Sequence, residues 1–114
     1  MAAPIIKSDE PLYQLLREEK VSEFNQRLAA GEACDLRNAD FRGLDLSGWE
    51  PTGLDLSNGY FRQADLRGVD LSTCQLAGAS LHSAKISGVL FPNSLSAEEI
   101  SLSFEHGTRM RLRD

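Results

Sequence analysis

Two cysteines, Cys34 and Cys74, two histidines, His82 and His106, and a regular series of aspartates are the side chains here whose types could do chemistry. Nucleophilic catalysis needs a nucleophile, a base and an orienting group converging in a concave pocket. Neither histidine adjoins a cysteine or a GxSxG-like turn, and the two cysteines lack the spacing and the His partners of a zinc site. Asp35, Asp40, Asp45, Asp55, Asp65 and Asp70 recur by fives or multiples of five, so their pairing carries little catalytic information. No catalytic residue, metal ligand or cofactor is therefore expected, and these groups are carried by a regular framework.

That framework is a five-residue period. Every fifth position from Leu36 reads Leu36, Phe41, Leu46, Pro51, Leu56, Phe61, Leu66, Leu71, Leu76, Leu81, Ile86 and Phe91, so eleven of twelve are Leu, Ile or Phe. A longer period of twenty is superposed on it: Gly48, Gly68 and Gly88, Phe41 with Phe61, and Leu36 with Leu56 and Leu76. Residues twenty apart should stack at the inter-strand spacing of about 4.8 Å. The central Leu or Phe should point inward, and the residue two before it should face inward near a crowded corner, which suits Cys34, Ala39, Gly59, Ala64, Cys74, Ala79 and Ala84. The other three positions are left to solvent. Cys34 and Cys74 then fall two rungs apart, about 9–10 Å, beyond disulfide reach.

The pentads themselves run CDLRN, ADFRG, LDLSG, WEPTG, LDLSN, GYFRQ, ADLRG, VDLST, CQLAG, ASLHS, AKISG and VLFPN. This pattern, a small residue, Asp or Asn, Leu or Phe and two polar residues, resembles the pentapeptide-repeat family. The resemblance implies an all-β solenoid: a right-handed quadrilateral parallel β-helix, four pentads to a coil and about three coils, with α-helical caps at both ends. WEPTG departs from the pattern, with Trp49 in a small-residue position and Pro51 in the central one. The fourth side of the first coil should therefore be irregular, with Trp49 folded outward or covering the junction with the cap.

One domain is expected, in three parts. Residues 1–33 read as a lead-in and helical cap. Ser8 or Asp9 is the expected helix cap before Pro11, with Leu12, Leu15 and Leu16 as an apolar face, followed by a second helical pattern from Val21 that Gly31 ends; Glu18-Glu19-Lys20 reads as a turn between two helices, the alternative being the exposed face of one long helix. Helices this short need something to lie on, and a stacked array leaves an open end that needs covering. Residues 34–93 are the repeats. In residues 94–114, Ser96 and Glu99 read as a capping box for a short helix whose Ile100 and Phe104 face inward, ending at Gly107. From Thr108 a period of two reads as a strand, with Met110 and Leu112 on one side and Arg109, Arg111 and Arg113 on the other.

Function should sit on outward residues. The candidate interaction surface is Trp49, Tyr60 and a column of Arg42, Arg62 and His82; the candidate dimer strand is Arg109, Met110, Arg111 and Leu112. The expected role is a non-enzymatic protein-interaction or scaffold module, with a protein partner or a second copy joined through residues 95–114. Family resemblance supplies an alternative, modulation of DNA gyrase or another topoisomerase by mimicry of duplex DNA. The repeats carry seven acids and five bases, and three coils make only about 14 Å of rod, which is short and near neutral for such mimicry. A net charge of −5 argues against direct nucleic-acid binding. No leader or membrane-spanning stretch is read in the chain, so a cytoplasmic location is expected.

Overall fold

The computed structural model describes residues 4–113. Its regular elements are three α-helices: α1 (Pro11–Arg17), α2 (Val21–Ala29) and α3 (Ala97–His106). Among the described residues there is no β-strand and no sheet, which corrects the expected all-β class and the right-handed quadrilateral parallel β-helix. The reason lies in the length of each side. A pentad spends two of its five residues on a turn, and only one of the other three forms a bridge to the next coil before the chain turns again. Pairing consequently occurs as isolated parallel bridges, Asp40↔Tyr60↔Ser80, Asp45↔Asp65↔Lys85, Asp55↔Gln75 and Asp70↔Leu90, each joining residues twenty apart.

The periods of five and twenty are nonetheless realised in the packing. Leu36, Phe41, Leu46, Leu56, Phe61, Leu66, Leu71, Leu76 and Leu81 are all buried, and the rings of Phe41 and Phe61 stack with centroids 4.6 Å apart and planes 7° apart. Each such side chain contributes roughly 1.5–3 kcal/mol by leaving water. Of the small positions, Ala39, Ala64, Cys74, Ala79 and Ala84 are buried and Cys34 is half-buried.

What drives the chain round each corner is a pair of local devices. The residue two after the central one takes a positive φ at Asn38, Gly43, Gly48, Gly53, Asn58, Gln63, Gly68, Gly78, Ser83 and Gly88. This left-handed conformation accounts for the preference for Gly and Asn there, and makes Gln63 and Ser83 the strained exceptions. Ahead of the turn, an aspartate accepts from the backbone N–H two residues on: Asp35 from Arg37, Asp40 from Arg42, Asp45 from Ser47, Asp55 from Ser57, Asp65 from Arg67 and Asp70 from Ser72. The side chain of that second residue then closes on the same carboxylate, for example Arg42 on Asp40 at 2.9 Å through both Nε and Nη2. The aspartates are thus turn formers.

The N-terminal end is closed over its core, with Ile5 and Ile6 of the lead-in left exposed. Lead-in residue Ile5 bridges Ala39, and α1 and α2 form two separate helices on the first coil. The N-cap position of α1 is Glu10, which makes no side-chain cap, so neither Ser8 nor Asp9 caps the helix; the Glu10 carboxylate instead accepts from Asp35 N at 2.6 Å. Tyr13 is buried edge-on to Phe41, and its hydroxyl donates to the Asp40 carbonyl at 2.6 Å. Burial raises the pKa of that phenol. Phe24 of α2 meets Trp49 at 5.8 Å, and Trp49 in turn meets Phe41 at 5.7 Å.

At the other end, Ser96 caps α3 by accepting from Glu99 N at 3.2 Å, and Gly107 ends it at φ 74°. The reciprocal half of a capping box is missing, because the Glu99 carboxylate binds Arg111 instead. Ile100 is partly buried and Phe104 is 38 % exposed, whereas Ser103 is the buried residue of the helix. Its hydroxyl accepts from Leu81 N at 2.9 Å and donates to the Thr108 carbonyl at 2.6 Å, a role no apolar side chain could fill.

Candidate functional site

The fourth side of the first coil, residues 49–53, has no bridge to the coil below, and side chains replace it. Asn25 reaches across from α2, donating to the Gly48 carbonyl and accepting from Glu50 N, both at 2.8 Å. Thr73 Oγ1 accepts from Gly53 N at 2.9 Å, and the Cys74 thiol donates to the Pro51 carbonyl at 3.2 Å. Trp49 is held inside this frame at 2 % exposure, with Nε1 buried and without a hydrogen-bond partner among the described residues. It covers the cap junction and does not belong to an outward surface, which corrects its place among the interaction residues.

Two more of those residues are covered by the C-terminal segment. Tyr60 is half-buried beneath Arg109, whose guanidinium lies 5.0 Å from the ring centroid and donates to the phenol oxygen. His82 is also half-buried, with Gly107 against it and Nδ1 buried. The column does exist, since Gly43 N donates to Arg62 O and Gln63 N to His82 O, both at 2.9 Å. Only its first two members face water. Arg42 is engaged with Asp40, and Arg62 is exposed with no ion pair among the described residues.

The segment after α3 is not a strand. Met110 is buried in the core, and its backbone accepts from Gly78 N at 2.8 Å and donates to Ala79 O at 2.9 Å. Arg109 turns inward to Asn58 and the Gly78 carbonyl, while Arg111 pairs with Glu99 and Arg113 binds the Asn93 and Leu95 carbonyls. Of the four residues of the expected dimer strand, Leu112 is the one left as an exposed apolar side chain, because the others are spent closing the last coil. Sequence periodicity missed this because an alternating run gives no sign of which backbone groups it will meet.

What the C-terminal end leaves open is apolar. Leu90 is 58 % exposed, Leu102 41 %, Phe104 38 % and Leu112 47 %. Leu76 and Leu81, which lie under the C-terminal segment, are fully buried, but Ile86 and Phe91 on the remaining two sides are partly exposed.

Electrostatics of the repeats are local. Hydrogen bonds from Arg37 and Arg67 hold the carboxyls of Asp35 and Asp65 down to about 2, and Asp40, Asp45 and Asp70 are lowered by the same kind of turn contact from Arg42, Ser47 and Ser72. Burial pushes both thiols up to about 11, and both cysteines are free. Surface clefts of about 350 Å³ occur beside Trp49, where Glu50 and Asp70 line it, and between Glu99 and Arg111; neither contains a histidine or cysteine. Among the described residues no three His, Cys, Asp or Glu side chains gather as a metal site, and no helix is long and apolar enough to cross a membrane.

Residues 55–91 match the family model of pentapeptide repeats, in eight copies. The match begins just past WEPTG, the pentad that departs from the pattern. No curated protein and no solved structure matches the chain.

Proposed function

We propose, on the premise that the chain belongs through residues 55–91 to the pentapeptide-repeat family, that it is a non-enzymatic protein-interaction module that works from its C-terminal end. One observation carries this reading. The two ends of the stack are closed unequally: at the first, Tyr13, Phe24 and Trp49 are buried and the exposed apolar residues are Ile5 and Ile6 of the lead-in, while at the second Leu90, Leu102, Phe104 and Leu112 are all partly exposed. The end with more exposed apolar side chains is the better candidate for a contact surface.

The arrangement we propose first is a homodimer through residues 95–114, with Leu102, Phe104 and Leu112 as its contacts. A cytoplasmic setting suits the two free thiols. Light scattering at tens of micromolar tests the dimer. We expect twice the chain mass for the native protein and the chain mass for a Leu102→Glu, Phe104→Glu variant. Leu102 and Phe104 flank the buried Ser103 on α3 and are both partly exposed, and the substitutions leave Ser103 and Met110 unchanged. A native protein that scatters as a monomer overturns the dimer.

A further inference from the structure

On the two sides of the third coil under the C-terminal segment, four downward-facing backbone groups are answered, and Leu76 N is left without a partner among the described residues. Gly78 N meets Met110 O, Ala79 O meets Met110 N, Leu81 N meets Ser103 Oγ, and Ser83 N meets Phe104 O. The next side, residues 84–88, is different. One coil higher, the equivalent groups are all bonded: Leu66 N to Lys85 O, Gly68 N to Ser87 O, and Ala64 O to Lys85 N, each at 2.9 Å. In the third coil, Ile86 N, Gly88 N and Ala84 O have no partner among the described residues. Lys85, Ser87 and Gly88 are exposed, and Ile86 is partly exposed where Leu46 and Leu66 above it are fully buried. This edge keeps two donors and one acceptor in the spacing that the ladder above uses to hold the next rung.

We propose that residues 84–88 form a docking edge for an extended segment of a different protein, added as a fourth parallel rung, with an acidic residue opposite Lys85 followed by an aliphatic one. The register comes from the ladder itself. A residue bridged to Lys85 would donate to Ala84 O and accept from Ile86 N, and the residue two further on would accept from Gly88 N. The side chain between them falls in the column Leu46, Leu66, Ile86 and covers the exposed part of Ile86. The charge comes from Lys85, which follows Asp45 and Asp65 in its column and forms no ion pair within 4 Å among the described residues.

A second copy of the chain does not fit this edge. A copy related by a two-fold axis would run antiparallel to it, and a head-to-tail copy would need its first coil free. The first coil is already taken by Ile5, which accepts from Asp40 N and donates to Asn38 O, and by α1 and α2. The inference rests on the reading of the chain as an interaction module, but not on the dimer. Edge pairing of this kind draws its affinity from main-chain bonds and its selectivity from alternate side chains.

The test uses the full chain and an acetylated, amidated peptide, Ser-Val-Asp-Leu-Ser-Val-Thr, followed by amide NMR and hydrogen exchange. In the free protein, the Ile86 and Gly88 amides should exchange faster than Leu66 and Gly68. Saturating peptide should slow both and shift resonances of residues 84–88. A Lys85→Glu variant, at an exposed position, should bind the peptide about five- to tenfold more weakly, and replacing the peptide's Asp by Lys should restore most of that loss. Three results would overturn the proposal: no binding at millimolar peptide, binding that is indifferent to the charge exchange, or Ile86 and Gly88 already protected in the free chain because a second copy covers them. The last would leave the light-scattering dimer standing, so the two readings fail separately.

Discussion

Gly59 offers the sharpest quantitative test of the packing. It occupies the small-residue corner position of the second coil, and its φ is not in the left-handed region, so any cost of a side chain there is steric. A Cβ on Gly59 would lie 2.9 Å from Cε2 of Phe61, 3.1 Å from the Leu56 carbonyl oxygen and 3.4 Å from Cε2 of Phe41. The two nearest neighbours cannot retreat easily: the Leu56 carbonyl is backbone, and Phe61 is a buried ring stacked at 4.6 Å on Phe41. Overpacking of this kind costs about 1–3 kcal/mol, against a gain of about 0.4–1 kcal/mol from stiffening the unfolded chain. Gly59→Ala should therefore destabilise by about 1–2 kcal/mol. Phe61→Leu removes the stacked pair, worth about 0.5–1.5 kcal/mol, and opens space beside residue 59. In the double variant the new methyl fills that space, so the two costs should fall short of their sum by about 1 kcal/mol. Urea denaturation of the four proteins closes the cycle, and a 1 kcal/mol change should move the thermal midpoint by about 4 °C. If Gly59→Ala is neutral, or the two effects add within about 0.3–0.5 kcal/mol, the argument that aromatic rings crowd this corner is wrong.

Acid sensitivity follows from the turn aspartates. The folded carboxyls of Asp35 and Asp65 titrate at about 2, below their usual 3.8, so the unfolded chain binds more protons between those values. The stability they contribute is fully present above about pH 4 and is lost as the pH falls toward 2, which denaturant titrations across that window should show. Asp65→Asn should flatten the slope. At the cap junction, Asn25→Ala removes two hydrogen bonds to the Trp49 segment, and because Gly48 and Glu50 are exposed to water the cost should be about 1–2 kcal/mol. Trp49 fluorescence should report the change as a red shift at intermediate urea, and an unchanged midpoint would refute the clamp.

Why some of this was readable and some was not is clearest from particular residues. Leu56 and Phe61 could be placed in the core from spacing alone, because a repeat applies one local rule over and over. Translation by twenty residues then lays equivalents on one another without any further information. The same logic kept Cys34 and Cys74 apart. Even within the repeats, however, periodicity could not say whether the sides would be strands. That depended on each turn consuming two of five residues, which leaves isolated bridges. The matching of each aspartate to its own Arg or Ser two residues on, rather than to a charged column, was also a product of the turn.

The ends have no period, and there the three-dimensional packing made the choices. Trp49 went inward because Phe24 and Phe41 offered it a ring-lined site and Asn25 supplied the missing backbone partners. Tyr60 and His82 stand on outward pentad positions yet are covered by Arg109 and Gly107, residues remote in the chain. Ser103, a polar residue, displaced Phe104 from the interface because Leu81 N–H needed an acceptor. Composition and spacing dictated what must be stacked; which open backbone groups remained to be satisfied, and by which distant side chain, was decided only when the coils had closed, since a hydrogen bond across the fold has no signature in the local order of residues.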